Sequence, residues 1–291
     1  MTAALVLQVA LGGLLMGLIY ALVAAGLSLI FGLMDVVDFA HGELLMLAMY
    51  VTFVIHQSLG LDPLVQLPLV ALLLFGVGVA IYRGLIARAL GVRFNTGMVQ
   101  VFVTFGLSIF LIGAAQLVFG SDFRAIGDGF LTSRTVSIGN VVLPLPQVAA
   151  GLICLLAFAA LFVISRTEFG HALEATREDR EAVALIGIDR DKVFSIGWGI
   201  GAAAVGIAGV MLANFYYISP TVGGNFALIA YITVALGGFG SLLGALVAGI
   251  LIGLVEALTA LVMDPSLKQV GIFVIYVLVL MFRPRGLFGR L

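Results

Sequence analysis

The chain has 291 residues, of which 63% are hydrophobic and only 10% are charged, and its mean hydropathy is +1.25. Soluble domains carry about 25% charged residues, so this composition excludes an ordinary soluble protein and predicts an all-α polytopic membrane protein. The net charge of −1 offers no basic surface for nucleic acid, and the single cysteine, Cys154, cannot form a disulfide within the chain.

Long apolar runs alternate with short polar breaks in the first half of the chain. The first run is too long and too uncharged for the core of a cleaved signal peptide. Hydropathy and length predict five membrane spans, over residues 5–34, 40–57, 64–90, 97–119 and 147–165. A polar stretch, 120–146, separates the last two.

The break after the first span contains the candidate site residues Asp35, Asp38, His41 and Glu43. Ionisable side chains are costly inside a membrane unless they face protein or a polar path. These four candidate residues therefore either line a transport route or hold the walls of that route in shape. Alternatively, Asp38 caps a helix beginning near Phe39 and Glu43 complements the positive end of that helix. A proton relay through His41 and Glu43 is a third interpretation.

A charge-rich loop, 166–192, follows the fifth span. Within it we predict a helix over Leu173–Ile186, ended by Gly187, whose small apolar residues interrupt the charges. The loop is either a solvated connection or a docking surface for a soluble partner. On the docking interpretation Arg177 is an exposed charge whose loss should be mild.

In the C-terminal third of the chain, the hydropathy pattern predicts a sixth span over 193–217, an uncharged break at 218–226 and a short helix over 227–236. Ten residues rise about 15 Å, half of a membrane core of about 30 Å, so this helix should be re-entrant. Gly237, Gly238 and Gly240 predict a tight turn after it. Two further spans, about eight in total, cover 241–262 and 267–282, and the first of them carries Glu256, interpreted as a structural hydrogen-bonding group.

The two broken regions give the chain two weakly similar halves within one transmembrane domain, 1–291. Interrupted helices at corresponding places in two halves point to a transport site near the bilayer midplane. Eleven of the 14 Lys and Arg residues lie beside the third span, in the 166–192 loop or in the tail. The positive-inside rule makes that side cytoplasmic. The depth of the first break and the side of the N-terminus stay open.

Motifs that the sequence lacks exclude several classes of protein. The sequence contains no Walker A motif, so the chain is not itself a P-loop ATPase, and the spacing of its three histidines predicts no metal site. An intramembrane protease using Ser241 lacks a suitably placed histidine. An ion-coupled secondary transporter, with Glu43 and Glu256 as coupling carboxylates, remains a rival to a permease that depends on a separate ATPase.

Three segments resemble one family. GLIYALVAAGLSLIFGLMDVVDFAHGELLMLAMY is similar to the opening signature of the permeases of branched-chain amino-acid ABC importers, of the first-permease type and close to the urea-importer permeases. FGHALEATREDREAVALIGID resembles the cytoplasmic loop of that family, and ITVALGGFGSLLGALVAGILIGLVEAL resembles its C-terminal core.

The resemblance implies a multi-pass permease of the bacterial inner membrane that moves branched-chain amino acids, with urea or other amino acids as alternatives. It implies a second permease chain, identical or related, two ATPase subunits that bind the ATP, and a periplasmic binding protein. The loop would dock on the ATPase through Glu174, Ala175, Ala182, Leu185 and Gly187. It departs from the Glu-Ala-Ala pattern of other importers, since Thr176 follows Ala175.

Overall fold

The computed structural model describes residues 3–34, 37–90, 96–127, 129–132, 134–139, 141–179, 183, 185–264 and 267–289. Its helices are α1 (Ala3–Met34), α2 (His41–Leu59), α3 (Pro63–Leu90), α4 (Thr96–Phe119), α5 (Leu145–Ile164), α6 (Glu168–Glu178), α7 (Arg190–Leu212), α8 (Val222–Gly237), α9 (Leu242–Val262) and α10 (Lys268–Phe282). An antiparallel hairpin, β1 (Thr135–Ile138) and β2 (Val141–Pro144), precedes α5.

Seven of the helices in the described part of the chain are long and apolar enough to cross a membrane, namely α1, α2, α3, α4, α5, α7 and α9. The predicted eighth span is the shorter α10 of 15 residues. The predicted re-entrant helix, 227–236, lies within α8, which has 16 residues rather than ten. The expectation of an all-α polytopic membrane protein with broken segments is therefore confirmed.

Helix α1 is the centre of the bundle. It packs against α5, α7, α8 and α9. Its approach to α9 is a backbone contact, because a Cβ added at Gly17 would lie 2.8 Å from the carbonyl oxygen of Gly249. Small residues allow this close helix packing in a membrane, where apolar burial supplies little association energy. The glycines that interrupt the first span therefore serve packing, and α1 continues through them.

The two ends of the bundle are distinct. At one end Tyr82, in a π-helical turn of α3, donates a hydrogen bond to Asp191 Oδ1 at 3.1 Å, and Arg177 of α6 lies beside Gly240. At the opposite end the Asp62 carboxylate accepts a hydrogen bond from the Phe130 amide at 2.6 Å. Residues beside α3, in the 166–192 loop and in the tail thus share one face, as the charge distribution requires for a cytoplasmic side.

Two predicted boundaries are wrong. Helix α7 ends at Leu212, and α8 begins at Val222, so the second break is 213–221 and residues 222–226 are helical. Gly223 lies within the predicted break, but it provides a close helix contact within α8.

The predicted loop helix over Leu173–Ile186 is not continuous: residues 173–178 belong to a helix that begins earlier, and residues 183 and 185 are helical after a break. Helix α6 covers Glu168–Glu178 and stops because Asp179 is extended, with φ −145° and ψ 103°. Leu173 is buried with α1 and α7 residues, including Ile30 and Trp198, and this packing sets the position of the helix.

Candidate functional site

The first break is a hydrogen-bonded turn. The Asp38 Oδ1 atom accepts a hydrogen bond from the Ala40 amide at 3.0 Å, and α2 begins one residue later, at His41. Asp38 therefore organises the turn before α2. The helix begins at His41, two residues later than the predicted start near Phe39. Its other oxygen, Oδ2, lies 3.5 Å from His41 Nδ1. Its backbone carbonyl accepts a hydrogen bond from Tyr231 of α8 at 2.7 Å.

His41 connects this break to α1. Its Nε2 atom lies 3.0 Å from the Val23 carbonyl oxygen, and the ring is completely buried. Val23 is eleven residues before the end of α1 at Met34, or about 16 Å along a helix. The turn before α2 therefore lies beside an inner part of α1 rather than beside the end of that helix.

A polar stripe on α4 meets the same break. Gln100, Thr104 and Ser108 recur at a spacing of four and are buried. Thr104 donates a hydrogen bond to the Val37 carbonyl at 3.0 Å, and the Ser108 side chain lies near the Glu43 carboxyl. These α4 residues were missed at the sequence level, although three polar residues at helical spacing in an apolar span were a usable signal.

The second break brings the start of α8 against the start of α2. A Cβ added at Gly42 would collide with the Gly223 carbonyl and with Ala227, and a Cβ at Gly223 would lie 2.7 Å from the Gly42 carbonyl carbon. Neither helix has a side-chain hydrogen bond from its N-cap residue. Two helix N-termini, each with partial positive charge, therefore cross in the interior of the bundle.

The sequence-predicted residues of the first break come together but lie inside the packed chain. Asp38, His41 and Glu43 are at most 3% exposed. Their contacts run to α1, α4 and α8. That they line a transport route or hold its walls in shape stays a prediction. Asp35 lies outside the described residues.

Gly237, Gly238 and Gly240 form the predicted turn between α8 and α9. Gly238 has φ +101° and Gly240 has φ +78°, conformations that favour glycine. The tail completes the end of α8, because the amides of Leu287 and Phe288 donate to the carbonyls of Leu236 and Gly237 at 2.8 and 3.0 Å. This tail contact has no signal in the sequence.

The predicted docking residues divide between two segments. Glu174 and Ala175 lie on α6, whereas Leu185 and Gly187 follow it, with Leu185 89% exposed and Gly187 at φ +83°. Ala182 lies outside the described residues. The two groups therefore do not share the single helix expected from the sequence.

Glu256 is held in a structural network. Tyr20 of α1 donates a hydrogen bond to its Oε2 atom at 2.7 Å, and Lys268 Nζ at the start of α10 lies 2.7 Å from Oε1. The carboxylate thus joins α1, α9 and α10, as the structural interpretation predicts.

We expect Glu256→Ala to lower the free energy of unfolding by about 1–3 kcal/mol, because the buried Tyr20 hydroxyl would lose its acceptor. Adding Tyr20→Phe should recover part of that loss. Thermal unfolding of the detergent-solubilised variants measures both. Equal melting temperatures for the wild type and Glu256→Ala would contradict this role.

Interrupted helices and a buried polar turn between α1 and α2 are typical of membrane transport proteins. The family model described as branched-chain amino acid transport system / permease component matches residues 9–281. The chain belongs to this family, which confirms the resemblance in its sequence. It is a multi-pass protein of the inner membrane.

Named relatives cover almost the whole chain. The permease protein BraD of the high-affinity branched-chain amino acid transport system of Pseudomonas aeruginosa is 31% identical, over 98% of this chain and 96% of its own length. LivH of the corresponding Escherichia coli system is 32% identical over the same shares. LivM of Escherichia coli is 33% identical over 46% of this chain and 32% of its own length. No solved structure matches the chain.

Proposed function

We propose that this chain is the permease subunit of an ATP-driven importer that moves leucine, isoleucine and valine from the periplasm to the cytoplasm. The observation that carries the proposal is the near full-length similarity to BraD and LivH, both named as permeases for branched-chain amino acids. ATP is bound and hydrolysed by partner subunits, since the sequence has no Walker A motif.

The geometry of the breaks suits such a substrate. An aliphatic amino acid carries a carboxylate, an ammonium group and an apolar tail. The N-termini of α2 and α8, which meet at Gly42 and Gly223, present partial positive charge to an anionic group. Glycines and aliphatic side chains around them suit an apolar tail, and the buried carboxyl groups of Asp38 and Glu43 lie beside the start of α2.

The partners follow from the same argument. We propose a second permease chain, two ATPase subunits and a periplasmic binding protein. The similarity to LivM, a differently named permease of the same Escherichia coli system as LivH, supports a related rather than identical second permease. Helix α6 and the exposed Leu185 after it lie on the cytoplasmic face and form the ATPase-docking surface.

The ion-coupled alternative requires carboxylates that are free to bind and release an ion. Glu256 is instead paired with Lys268 and Tyr20, both at 2.7 Å. Burial in this network favours a fixed role in the bundle.

Substrate competition in proteoliposomes tests the proposal. The complete importer is reconstituted with ATP, and uptake of labelled leucine is measured in the presence of excess isoleucine, valine or urea. We expect isoleucine and valine to compete and urea to have no effect. Uptake of labelled urea in place of leucine would contradict the assigned substrate.

A further inference from the structure

The cytoplasmic helix α6 reaches the re-entrant turn through one side chain. Arg177 lies in the last turn of α6, and a Cβ built on Gly240 would be 3.3 Å from its Nη1 atom. The same Cβ would be 3.3 Å from the Gly32 Cα of α1. Arg177 is exposed, as predicted, but its guanidinium lies where α1, α6 and the Gly238–Gly240 turn meet.

The partial charges of nearby helix ends favour a cation at the position of the Arg177 guanidinium. Helix α1 ends at Met34 and α8 ends at Gly237, so the C-termini of two helices lie near the junction. Helix C-termini carry partial negative charge, and a cation beside them is favourable. Arg177 thus places its charge near both helix ends while belonging to a third helix.

The turn is also held from the tail side. A Cβ at Gly238 would lie 2.6 Å from the Gly289 amide nitrogen, and the Phe288 amide donates to Gly237. Because backbone contacts enclose the turn on both sides, it has little room to move independently of its neighbours. A displacement of α6 is therefore passed to the turn.

Helix α8 connects this turn to the first break. It has 16 residues, or about 24 Å, between the turn and its N-terminal contact of Gly223 with Gly42. Tyr231, in the middle of α8, donates its hydrogen bond to the Asp38 carbonyl. A shift of α8 along its axis would change both contacts.

We propose that Arg177 is a positioning residue for transport: it connects α6 to the Gly238–Gly240 turn, so that movement of α6 shifts α8 and opens or closes the crossing of α2 and α8. This inference rests on the proposed function, because the movement of α6 is imposed by the ATPase subunits. Arg177 itself contacts no substrate.

The test compares Arg177→Ala with Arg190→Ala in the complete importer in proteoliposomes. Arg190 is a matched control, since it is partly exposed on the same face and its ion pair is with the adjacent Asp191 at 3.4 Å. The readout is leucine imported per ATP hydrolysed, at saturating loaded binding protein. Loss of fold or assembly alone changes the amount of active importer and not this ratio.

For Arg177→Ala we expect ATP hydrolysis to stay stimulated by the loaded binding protein while the ratio falls by about tenfold, within the usual range of coupling between sites. Arg190→Ala should keep the wild-type ratio. A wild-type ratio in Arg177→Ala overturns the inference while leaving the proposed function intact. Absence of ATP-dependent leucine uptake in the wild type would instead refute the proposed function.

If Arg177→Ala does not assemble, Arg177→Met is measured in the same way, because methionine keeps much of the apolar stem without the charge. A reduced ratio in that variant supports the proposal. Failure of both variants to assemble would overturn it, since Arg177 would then be needed for folding rather than for coupling.

Discussion

Replacing Gly223 with alanine should abolish most transport, whereas the same change at the adjacent Gly224 should leave transport at the wild-type level. A Cβ at Gly223 meets the Gly42 carbonyl group and lies 3.0 Å from the Glu43 amide nitrogen. Backbone atoms cannot move aside as flexible side chains do, and overpacking costs about 1–3 kcal/mol. A Cβ at Gly224 meets nothing within 4 Å.

The pair is well matched because both glycines lie in the first turn of α8. Alanine is favoured over glycine in a helix by up to about 1 kcal/mol, so Gly224→Ala carries no penalty from the backbone. Leucine uptake and thermal stability are measured for both importers. Indistinguishable variants would show that the crossing of α2 and α8 does not limit transport.

The second large effect is expected at Asp38. In Asp38→Ala the buried Ala40 amide loses its acceptor and His41 loses the carboxylate 3.5 Å from its Nδ1 atom. An unpaired buried polar group costs about 1–3 kcal/mol, and here the cost falls on the turn that holds the crossing. Uptake per assembled importer should therefore fall strongly in Asp38→Ala.

Two variants separate the causes. Asp38→Asn retains an oxygen acceptor for the Ala40 amide and should preserve more uptake than alanine does. Asp122→Ala removes an exposed aspartate from the outer loop and should have no effect. If Asp38→Ala transports as well as Asp122→Ala, the turn is only a local cap and the break has no part in the mechanism.

The spanning helices and the two breaks were predictable because membrane-length apolar runs and their interruptions depend on local composition. The turn at Gly238 and Gly240 was predictable for a similar reason, since glycine pairs mark positive φ angles. Gly223, inside the predicted break over 218–226, instead lies in α8 and allows close packing against Gly42. Sequence alone does not distinguish these two uses of glycine.

The features that were not predicted from the sequence depend on contacts between residues far apart in the chain. The position of α6 depends on burial of Leu173 among α1 and α7 residues, so local propensity placed the helix too late. The α4 stripe acquires its role only when Thr104 meets the Val37 carbonyl, and the Leu287 amide reaches α8 from the far end of the chain. Such pairings carry no local pattern that a single sequence displays.

The most direct test of the central claim is leucine uptake driven by ATP. Proteoliposomes containing this chain alone are compared with proteoliposomes containing the complete importer, each with either internal ATP or an imposed proton or sodium gradient. We predict uptake only with the complete importer, the loaded binding protein and ATP. The ATP must be on the side of the membrane where the basic loop lies. Gradient-driven uptake by this chain alone would contradict the account and identify an ion-coupled transporter.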